Sequence, residues 1–427
     1  MRLLLVLLIL LELLHSDINL IKQENSDSNT TLLVIGGIHG DEPGGYFAAS
    51  LLASHYKITS KNLWIVPNLN QDSVIANKRG INGDMNRKFA SIKSKDKDKK
   101  TVDDIKKIIL EKNISLILNL HDGHGFYREK YQSTVFNPNA WGQTCVIDQC
   151  KLKEDQEFGN LNEIASIVRE NLNKKLLQKH HSFAVKNTNT KFDDEAMQLS
   201  LTYYAVTNNK PAFALESSKN LSTLAEKVFY QLLAIEEFMK IMDITYIRNF
   251  EFTQKGIAQI LQDYGTLKIN GNILLNFSDI KKSLSYIPLK SKSNDFTFTH
   301  PLGQVKKSNG DFVVYIGNKH ITTLKPQYFK MSQNCPNKLG LVIDGESTFI
   351  QKASAFYVND DFKVSKAKNL RVNIIGYRKK GILQESDIDI NLENLSHKFS
   401  LDNANKVYRI EFYKNDEFCS MSMVHFK

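Results

Sequence analysis

The first part of the chain alternates continuous apolar runs with segments of mixed polarity, as far as about residue 245. The apolar runs occupy residues 31–38, 63–67, 114–120 and 212–215. Runs of this kind are typical of strands that are buried on both faces of a sheet. Four other segments have the spacing and length of helices, and they occupy residues 43–56, 102–112, 161–178 and 221–242. The alternation predicts an α/β fold, in which helices cover both faces of a mixed, mainly parallel sheet.

The pattern changes after residue 250, where apolar and polar positions alternate over short stretches. Such stretches occur at residues 311–316, 370–376 and 406–412, and turn-forming pairs such as Asn309-Gly310 separate them. We therefore expect two small all-β domains after the α/β domain. The predicted division gives residues 17–246 to the α/β domain, 247–335 to a small β domain, and 336–427 to a C-terminal β-sandwich of the immunoglobulin-like type.

The first sixteen residues have the layout of a secretory signal. Arg2 supplies a positive start, residues 3–14 are apolar apart from Glu12, and polar residues follow. The run is too short to span a membrane as a folded helix. Because Glu12 interrupts the apolar region and Leu14 stands where a small residue is preferred, cleavage near Ser16 and retention as an amphiphilic anchor both stay open. The prediction for residues 1–16 is a signal peptide, with export to the periplasm and no stable membrane span.

Length and composition narrow the class of protein. The 427 residues exceed what a single hydrophobic core usually sustains. Apolar residues at 42% and charged residues at 24% have ordinary globular values, which excludes a disordered chain, a collagen and a polytopic membrane protein. The formal charge is +10, yet only nine of the 56 basic residues are arginine, and the lysines are scattered. We therefore expect no nucleic-acid partner, and at most a general affinity for an anionic polymer.

The four cysteines form neither a C-x-x-C motif nor a cluster with histidine, which argues against a thiol redox site and a structural zinc knuckle. Cys145 and Cys150 are close enough in sequence to pair across a tight loop in an oxidising compartment. Cys335 and Cys419 would have to meet within the C-terminal domain. For each pair, the alternative is a buried cysteine that acts as a small hydrophobic residue.

Candidate chemistry follows the ends of the predicted strands, where function gathers in open α/β sheets. His39 and Glu42 form an H-x-x-E pair in a glycine-rich turn after the first strand, and Pro43 can begin a helix there. An imidazole and a carboxylate three residues apart can converge on one cation, although such a pair also occurs by chance. His121 follows the third strand, and His124 lies three residues further on. Either histidine could complete a two-histidine, one-carboxylate set for catalytic zinc, and we favour His121 because it is nearer the strand end.

Three further residue types add to this pattern. Arg79 and Arg87 stand eight residues apart in a glycine-containing loop that also holds Asn86. Arginine suits bidentate recognition of a carboxylate, although two solvated surface arginines are the simpler alternative. Glu216 ends the fourth strand, where it could act as a general base on a catalytic water or simply as an acidic residue near a helix N-terminus.

Taken in order, the motifs H-x-x-E, D-x-N-R-x-F, L-H after a strand and a glutamate at a strand end resemble those of the zinc carboxypeptidase superfamily. The stretches G-G-I-H-G-D-E-P-G-G, N-K-R-G-I-N-G-D-M-N-R-K-F and N-L-H-D-G-H-G-F-Y are similar to those of exported D,L-carboxypeptidases that trim peptidoglycan and set cell shape in helical bacteria. The C-terminal stretch Y-R-I-E-F-Y-K-N also matches, so the resemblance covers the α/β domain and both β domains. It implies a zinc carboxypeptidase-like fold and a peptidase that removes meso-diaminopimelate from the muramyl tripeptide.

The resemblance also implies roles for individual residues. His39, Glu42 and His121 would hold one Zn²⁺ ion per chain, and Glu216 would be the general base. The scissile carbonyl would be steadied by Arg79 as it becomes an oxyanion. The remaining implied residues contact the substrate: Asn86 and Arg87 at its terminal carboxylate, and Thr202 and Trp141 in the pocket.

Two other functions stay open from the sequence. An N-acyl amino acid amidohydrolase of the aspartoacylase or succinylglutamate desuccinylase type shares the G-x-H-G-x-E and D-x-N-R motifs, but the predicted signal and the β domains argue against it. A non-catalytic cell-wall-binding protein is the second alternative, and the complete set of ligands, base and clamp argues against it. The sequence does not indicate an oligomeric state.

Overall fold

We analysed a computed structural model of the chain, which describes residues 18–25, 28–153, 156–379, 381 and 384–427. The predicted signal peptide, residues 1–16, lies outside the described residues. The chain forms two compact units. Of the described residues, the first contains those up to 74 together with those in 78–248, and the second contains residues 75–77 together with those in 249–427. The boundary predicted near residue 246 lies two residues before the division between the units.

Helices and strands alternate as far as Arg248. The helices are α1 (Pro43–His55), α2 (Gln71–Ile75), α3 (Lys99–Ile109), α4 (Leu161–Leu172), α5 (Thr190–Asp193), α6 (Leu201–Thr207) and α7 (Leu224–Ile241). The strands are β1 (Ile21–Gln23), β2 (Thr31–Ile35), β3 (Tyr56–Ile58), β4 (Asn62–Val66), β5 (Ile114–Gly123), β6 (Phe126–Tyr127), β7 (Phe136–Asn137), β8 (Thr144–Ile147), β9 (Ala184–Asn187), β10 (Ala212–Ser218) and β11 (Tyr246–Arg248).

A seven-stranded sheet forms the centre of the first unit, in the order β1-β4-β2-β5-β10-β8-β9. The pairs β2–β4, β2–β5, β5–β10 and β8–β9 are parallel, whereas β1–β4 and β10–β8 are antiparallel. All five residues of β2 and of β4 are buried, so both faces of the sheet are covered. The predicted mixed, mainly parallel α/β fold is confirmed.

Two strands extend beyond their predicted ends, so two of the predicted site residues lie within strands. The sequence predicted that His121 follows its strand and that Glu216 ends its strand, but β5 continues to Gly123 and β10 to Ser218. In the parallel pairing of these strands, Glu216 is the direct partner of His121. The apolar pattern stops at residues 120 and 215 because polar side chains take over, although the backbone ladder continues.

The second unit is mainly β-structure. It contains α8 (Gln254–Ile260) and the strands β12 (Thr266–Ile269), β13 (Ile273–Asn276), β14 (Ser283–Leu289), β15 (Phe296–Phe298), β16 (Gly303–Ser308), β17 (Asp311–Ile316), β18 (Lys319–Tyr328), β19 (Lys338–Ile343), β20 (Glu346–Gln351), β21 (Ala355–Val358), β22 (Asp361–Val364), β23 (Arg371–Ile374), β24 (Ile390–Asn391), β25 (Val407–Lys414) and β26 (Glu417–Phe426).

One sheet of this unit follows the order β15-β12-β13-β26-β25-β23, with β21 also paired to β26, and two four-stranded sheets follow the orders β14-β18-β17-β16 and β20-β19-β22-β24. Buried residues of β19, β22, β25 and β26 share one hydrophobic cluster, which includes Leu341, Phe362 and Phe412. Because β13 pairs with β26, the largest sheet combines strands from both sides of residue 335. The division of this unit into two β domains and the immunoglobulin-like type stay predictions.

The structure shows which of the two possible cysteine pairs forms a disulfide. Cys335 and Cys419 form a disulfide with a Cα–Cα distance of 5.6 Å, and it closes a separation of 84 residues. Cys145 and Cys150 are not paired: Cys145 is buried, and Cys150 is exposed. Within the part of the chain that the structure describes, we find no helix with the length and apolar character needed to cross a membrane.

Candidate active site

Three of the predicted side chains come together at one edge of the central sheet. His39 lies in the loop after β2, Glu42 occupies the N-cap position of α1, and His121 belongs to β5. Each offers one ligand atom, and these atoms all lie within 4.8 Å of one another. Glu42 contacts both imidazoles, with Oε1 at 2.9 Å from His39 Nδ1 and Oε2 at 2.8 Å from His121 Nδ1. All three residues are buried, at 2 to 4% exposure, so the cluster is preorganised away from bulk water.

The turn that carries His39 and Glu42 depends on two glycines. Gly37 has a φ of +72°, a left-handed conformation that favours glycine. Gly44 opens α1 beside β5, and a Cβ at this position would lie 2.3 Å from Asp122 Oδ1. Instead, the Gly44 backbone N–H donates to Asp122 Oδ2 at 2.8 Å. Asp122 thereby ties the start of the helix to the strand that carries His121, and Pro43 begins the helix as predicted.

A carboxylate fixes the outer side of His39. The Nε2 atom of His39 lies 2.8 Å from Asp84 Oδ1, while its Nδ1 atom faces Glu42 and His121. Asp84 Oδ2 accepts from Arg79 Nε at 2.9 Å, and Arg79 Nη1 donates to Glu42 Oε1 at 3.2 Å. Histidines that bind metals usually donate their second ring nitrogen to such a carboxylate. The pattern of contacts around His39 is therefore that of a metal ligand.

The charges of these groups depend on one another. Burial opposes ionisation of Glu42, but His39 and His121 hold the pKa of that carboxyl well below its usual range. Burial also disfavours a charged His39, yet Glu42 and Asp84 raise its pKa. For His121, burial lowers the pKa. Burial, with Glu42 and Asp122 nearby, raises the pKa of Glu216 well above its ordinary value. The cluster thus pairs an ionised Glu42 with a second carboxyl, Glu216, that takes up a proton readily.

All nine of the site residues predicted from the sequence line a single cleft with a volume of about 270 Å³. The cleft lining contains His39, Glu42, Arg79, Asn86, Arg87, His121, Trp141, Thr202 and Glu216. His124 also lines the cleft but is not part of the group that could hold a metal, which agrees with the preference for His121. Of the two arginines, Arg79 contacts the carboxylates of Glu42 and Asp84 while its side chain is half exposed.

Asn86 and Arg87 lie in a short 3₁₀ turn, Met85–Arg87, that Asp84 caps by accepting from the Asn86 backbone N–H. The Asn86 side chain is oriented by Oδ1, which accepts from the Leu201 backbone N–H at 2.9 Å. Because Oδ1 is used in this way, the Nδ2 amino group is the part of Asn86 that can donate to a bound anion. Arg87 Nη1 donates to the Asn86 backbone carbonyl at 3.0 Å, and both residues line the cleft.

Trp141 and Thr202 also line the cleft. The Lys186 ammonium lies 4.0 Å from the centre of the Trp141 ring, and Lys186 also donates to the Ala140 carbonyl at 3.1 Å. Thr202 is buried at 4% exposure and hydrogen-bonds through its side chain to Asp148, which lies just after β8. Both pocket residues are therefore held in place by a charged neighbour.

Sequence reasoning missed several residues that support the site. No role was assigned to Asp84, although it belongs to the D-x-N-R motif and could have been considered as a partner of a ligand. Gln231 of α7 donates to the His121 carbonyl at 2.6 Å, and a residue 110 positions away carries no local signal. Lys219 lines the cleft and lies 2.7 Å from Asp41 Oδ2 and 4.0 Å from Glu42 Oε1. Lys219 follows β10 directly, so its position at a strand end could have identified it as a residue of the site.

The donor set is chemically suited to zinc. Two imidazole nitrogens and a carboxylate, without a thiolate, are the ligands of catalytic zinc sites, which leave a coordination position open. The orientation of His39 by Asp84 supports the same conclusion. Together, the α/β fold, this group and the arginine-lined cleft define the class of zinc carboxypeptidases, with one zinc ion per chain.

The chain belongs to the M99 peptidase family, whose model describes the catalytic part of the carboxypeptidase controlling helical cell shape and matches residues 3–262. Residues 332–427 match a second model, described as the C-terminal domain of metallo-carboxypeptidase. The comparison with curated proteins gives no match.

Solved structures of the cell shape determinant protein Csd4 from Helicobacter pylori are similar over nearly the whole chain. The apo form is 33% identical, covers 96% of this chain and 100% of its own, and has a TM-score of 0.89. The tripeptide-bound form has 33% identity, the same coverages and a TM-score of 0.88. A form bound to mDAP, described as a D,L-carboxypeptidase, is 32% identical over 95% of this chain and 100% of its own, with a TM-score of 0.88.

Proposed function

We propose that this chain is a zinc-dependent D,L-carboxypeptidase that trims the peptidoglycan muramyl tripeptide to the dipeptide, releases meso-diaminopimelate and thereby influences cell shape. The observation that carries the proposal is one cleft that combines the His39–Glu42–His121 group with an amide and a guanidinium suited to a terminal carboxylate. The similar Csd4 structures include a tripeptide-bound and an mDAP-bound form, which supports this class of substrate.

The proposed ligands of the zinc ion are His39, Glu42 and His121. When bound, the ion acts as a Lewis acid that polarises a carbonyl oxygen and makes water a stronger nucleophile at neutral pH. Glu216 accepts the proton of the attacking water and returns it to the leaving amine, because its carboxyl lines the same cleft and it is the strand partner of the ligand His121. The guanidinium of Arg79, with its side chain 47% exposed, faces the cleft and stabilises the negative charge that develops on the oxygen of the scissile bond.

The terminal specificity follows from the pair Asn86 and Arg87. The oriented Nδ2 of Asn86 and the planar fork of Arg87 can bind one carboxylate together. Such a clamp selects a free carboxylate at the end of the peptide, so only the last residue is removed. Thr202 and Trp141 would contact the remainder of the diaminopimelate.

A periplasmic location completes the proposal. The layout of residues 1–16 supports export. The disulfide Cys335–Cys419 supports it independently, because disulfides form and persist in oxidising compartments such as the periplasm and are rare in the cytosol.

The first test of the function is a comparison of three substrates with the zinc-loaded protein. We expect free diaminopimelate from the muramyl tripeptide, none from the tetrapeptide, and no aspartate from N-acetylaspartate. Release of aspartate without diaminopimelate would instead favour the amidohydrolase alternative. No release from any substrate, with zinc bound, would favour the non-catalytic wall-binding alternative.

The second test concerns the clamp. Arg87→Lys keeps the charge but loses the bidentate geometry, so kcat/KM for the tripeptide should fall about tenfold to a hundredfold, equivalent to a charge-assisted hydrogen bond of about 1.5–3 kcal/mol. Arg87→Ala should cost more. Amidation of the terminal carboxylate of the substrate should reproduce that loss in the wild type and add little in the Arg87→Ala variant.

Arg169→Lys is the matched control, because Arg169 pairs with Glu170 on the surface and does not line the cleft. If the losses from Arg87→Ala and from amidation are simply additive, Arg87 does not hold the carboxylate.

A further inference from the structure

A second cavity, entirely within the second unit, is lined by cations. Its volume is about 440 Å³, and its charged lining residues are Lys281, Arg378, Lys398 and Arg409. None of the described residues that line it is acidic. The cations come from four separate places: the segment just before β14, the loop after β23, the short 3₁₀ turn His397–Phe399, and β25. We call this site the basic cavity.

Arg409 lines the basic cavity and is only 4% exposed. Its guanidinium donates through Nη1 to the Ser285 carbonyl and through Nη2 to the Tyr286 carbonyl, both at 3.1 Å. Its Nε atom lies 2.8 Å from Oε1 of the buried Glu411. Burial of a charged side chain is costly unless it is paired in this way. The arrangement fixes Arg409 and places its carbonyl partners in a defined position at the wall of the cavity.

Those carbonyls belong to an irregular part of β14. The register between β14 and β18 shifts between Leu284 and Ile287, and Tyr286 has a φ of +60°. A left-handed conformation is unfavourable for an aromatic residue and often marks a functional site. The irregular backbone leaves the Tyr286 side chain 62% exposed, beside the basic cavity. The site therefore presents an exposed aromatic ring next to a group of cations.

The two rim cations are available to a ligand. Arg378 and Lys398 are both exposed, whereas Lys281 is half-buried and donates to the His397 carbonyl at 3.1 Å and to Ser400 Oγ at 2.5 Å. The volume is that of a small-ligand site. A ligand with several carboxylates and a sugar ring suits this combination, because the cations would bind the carboxylates and the face of Tyr286 would pack on the ring.

We propose that the basic cavity is a second peptidoglycan-binding site, which takes the stem-peptide carboxylates of a wall strand while Tyr286 contacts a neighbouring sugar. The proposal rests on the proposed function, since both sites would bind the same polymer. A second contact with the strand would hold the enzyme on the wall between successive cleavages and raise the local concentration of substrate at the active site.

The test uses the zinc-loaded full-length chain and two measurements. Binding to purified, insoluble sacculi is measured by co-sedimentation at several salt concentrations, and turnover is measured on the soluble muramyl tripeptide. The test variant is Arg378→Ala with Lys398→Ala. The control variant is Lys292→Ala with Lys368→Ala, which removes the same charge from exposed residues of the same unit that do not line the basic cavity. A third variant, Tyr286→Ala, removes the ring.

We expect the test variant to bind sacculi about tenfold to a hundredfold more weakly than the wild type, which corresponds to the loss of charge-assisted contacts. Tyr286→Ala should also weaken binding, and both variants should retain wild-type kcat/KM on the tripeptide. The control variant should bind like the wild type. Equal weakening of sacculus binding in the test and control variants would overturn the proposal, because general charge would then explain the binding. Unchanged binding in both variants would also overturn it, because the basic cavity would then not contribute to binding.

Two further outcomes separate this proposal from its alternatives. If the wild type binds phosphatidylglycerol vesicles through Arg378 and Lys398 but does not bind sacculi, the site recognises lipid phosphate and the proposal is wrong. If the wild type fails to cleave the tripeptide, the proposed function is wrong, whereas the comparison of sacculus binding between the test and control variants still decides the role of the basic cavity.

Discussion

Asp84 gives the sharpest test of how the site is held together. Its two oxygens accept three hydrogen bonds: Oδ1 from His39 Nε2 at 2.8 Å and from the Asn86 backbone N–H at 2.9 Å, and Oδ2 from Arg79 Nε at 2.9 Å. The substitution Asp84→Asn keeps the shape but replaces one acceptor with an N–H₂ donor. If the amide oxygen takes the place of Oδ1, Arg79 faces the N–H₂ donor. If it takes the place of Oδ2, that donor faces His39 and the Asn86 backbone N–H instead.

The magnitude follows from these contacts. A hydrogen bond to a charged group contributes about 1.5–3 kcal/mol, and a lost partner of a metal-binding histidine lowers metal affinity about tenfold to a hundredfold. We therefore expect Asp84→Asn to raise the dissociation constant of zinc by about that factor. At saturating zinc, kcat/KM should still fall, because Arg79 and the turn that carries Asn86 are less well oriented.

The assay is a competition titration of zinc against a chelator, followed by tripeptide turnover at saturating zinc. Asp96→Asn is the control, because Asp96 pairs with Lys88 in the same region and does not line the cleft. Zinc affinity in Asp84→Asn equal to that of the wild type would refute the reasoning, and it would show that His39 is oriented without Asp84.

Three other changes test separate parts of the structure. His121→Ala should abolish stoichiometric zinc binding as well as turnover, and full zinc content by metal analysis would exclude His121 as a ligand. Glu216→Gln should keep zinc and tripeptide binding while turnover falls at least ~10²-fold, and near-normal turnover would place the general base elsewhere. Burial raises the pKa of Asp148 to about 6, so ionisation of this group destabilises the folded wild type progressively as the pH rises from about 4 to about 6. Relative to the wild type, Asp148→Asn should therefore gain up to roughly 3 kcal/mol in the free energy of unfolding over that range, as measured by urea denaturation, and a difference that does not change with pH would contradict the raised pKa.

Much of the first unit could be predicted because each signal was local. Pro43 and the glycines around His39 marked the start of α1, and the buried strands were visible as apolar runs. Helix α3 begins at Lys99 instead of residue 102 because its first turn is polar and contains the Lys99–Asp103 ion pair, which apolar periodicity cannot detect. The metal group His39–Glu42–His121 and the base Glu216 were found because their motifs stand near the ends of predicted strands, which a parallel sheet brings to one edge. The Arg79–Arg87 segment was found as a loop motif, whereas Thr202 and Trp141 came only from the family resemblance.

The features that the sequence did not reveal depend on contacts between distant residues. Gln231 meets His121 across 110 positions, and the pairing of Cys335 with Cys419 was one of two open alternatives. The parallel pairing of β13 with β26 joins strands that are about 150 residues apart. Alternating apolar positions identified other strands of this unit, but neither these two strands nor their shared sheet. Pairing between segments that are far apart in the sequence depends on how the whole core packs. It therefore leaves no short motif in the sequence.

The direct pairing of His121 with Glu216 has a consequence for how such enzymes diversify. These two residues are partners on adjacent parallel strands, so their separation is set by backbone hydrogen bonds between β5 and β10. The pocket residues Trp141 and Thr202, in contrast, belong to segments outside these two strands. Insertions and substitutions in those segments can therefore change which substrate is accepted without altering the spacing of the ligand and the base. Selection for new specificity can act on the connecting segments while the reaction centre is inherited unchanged.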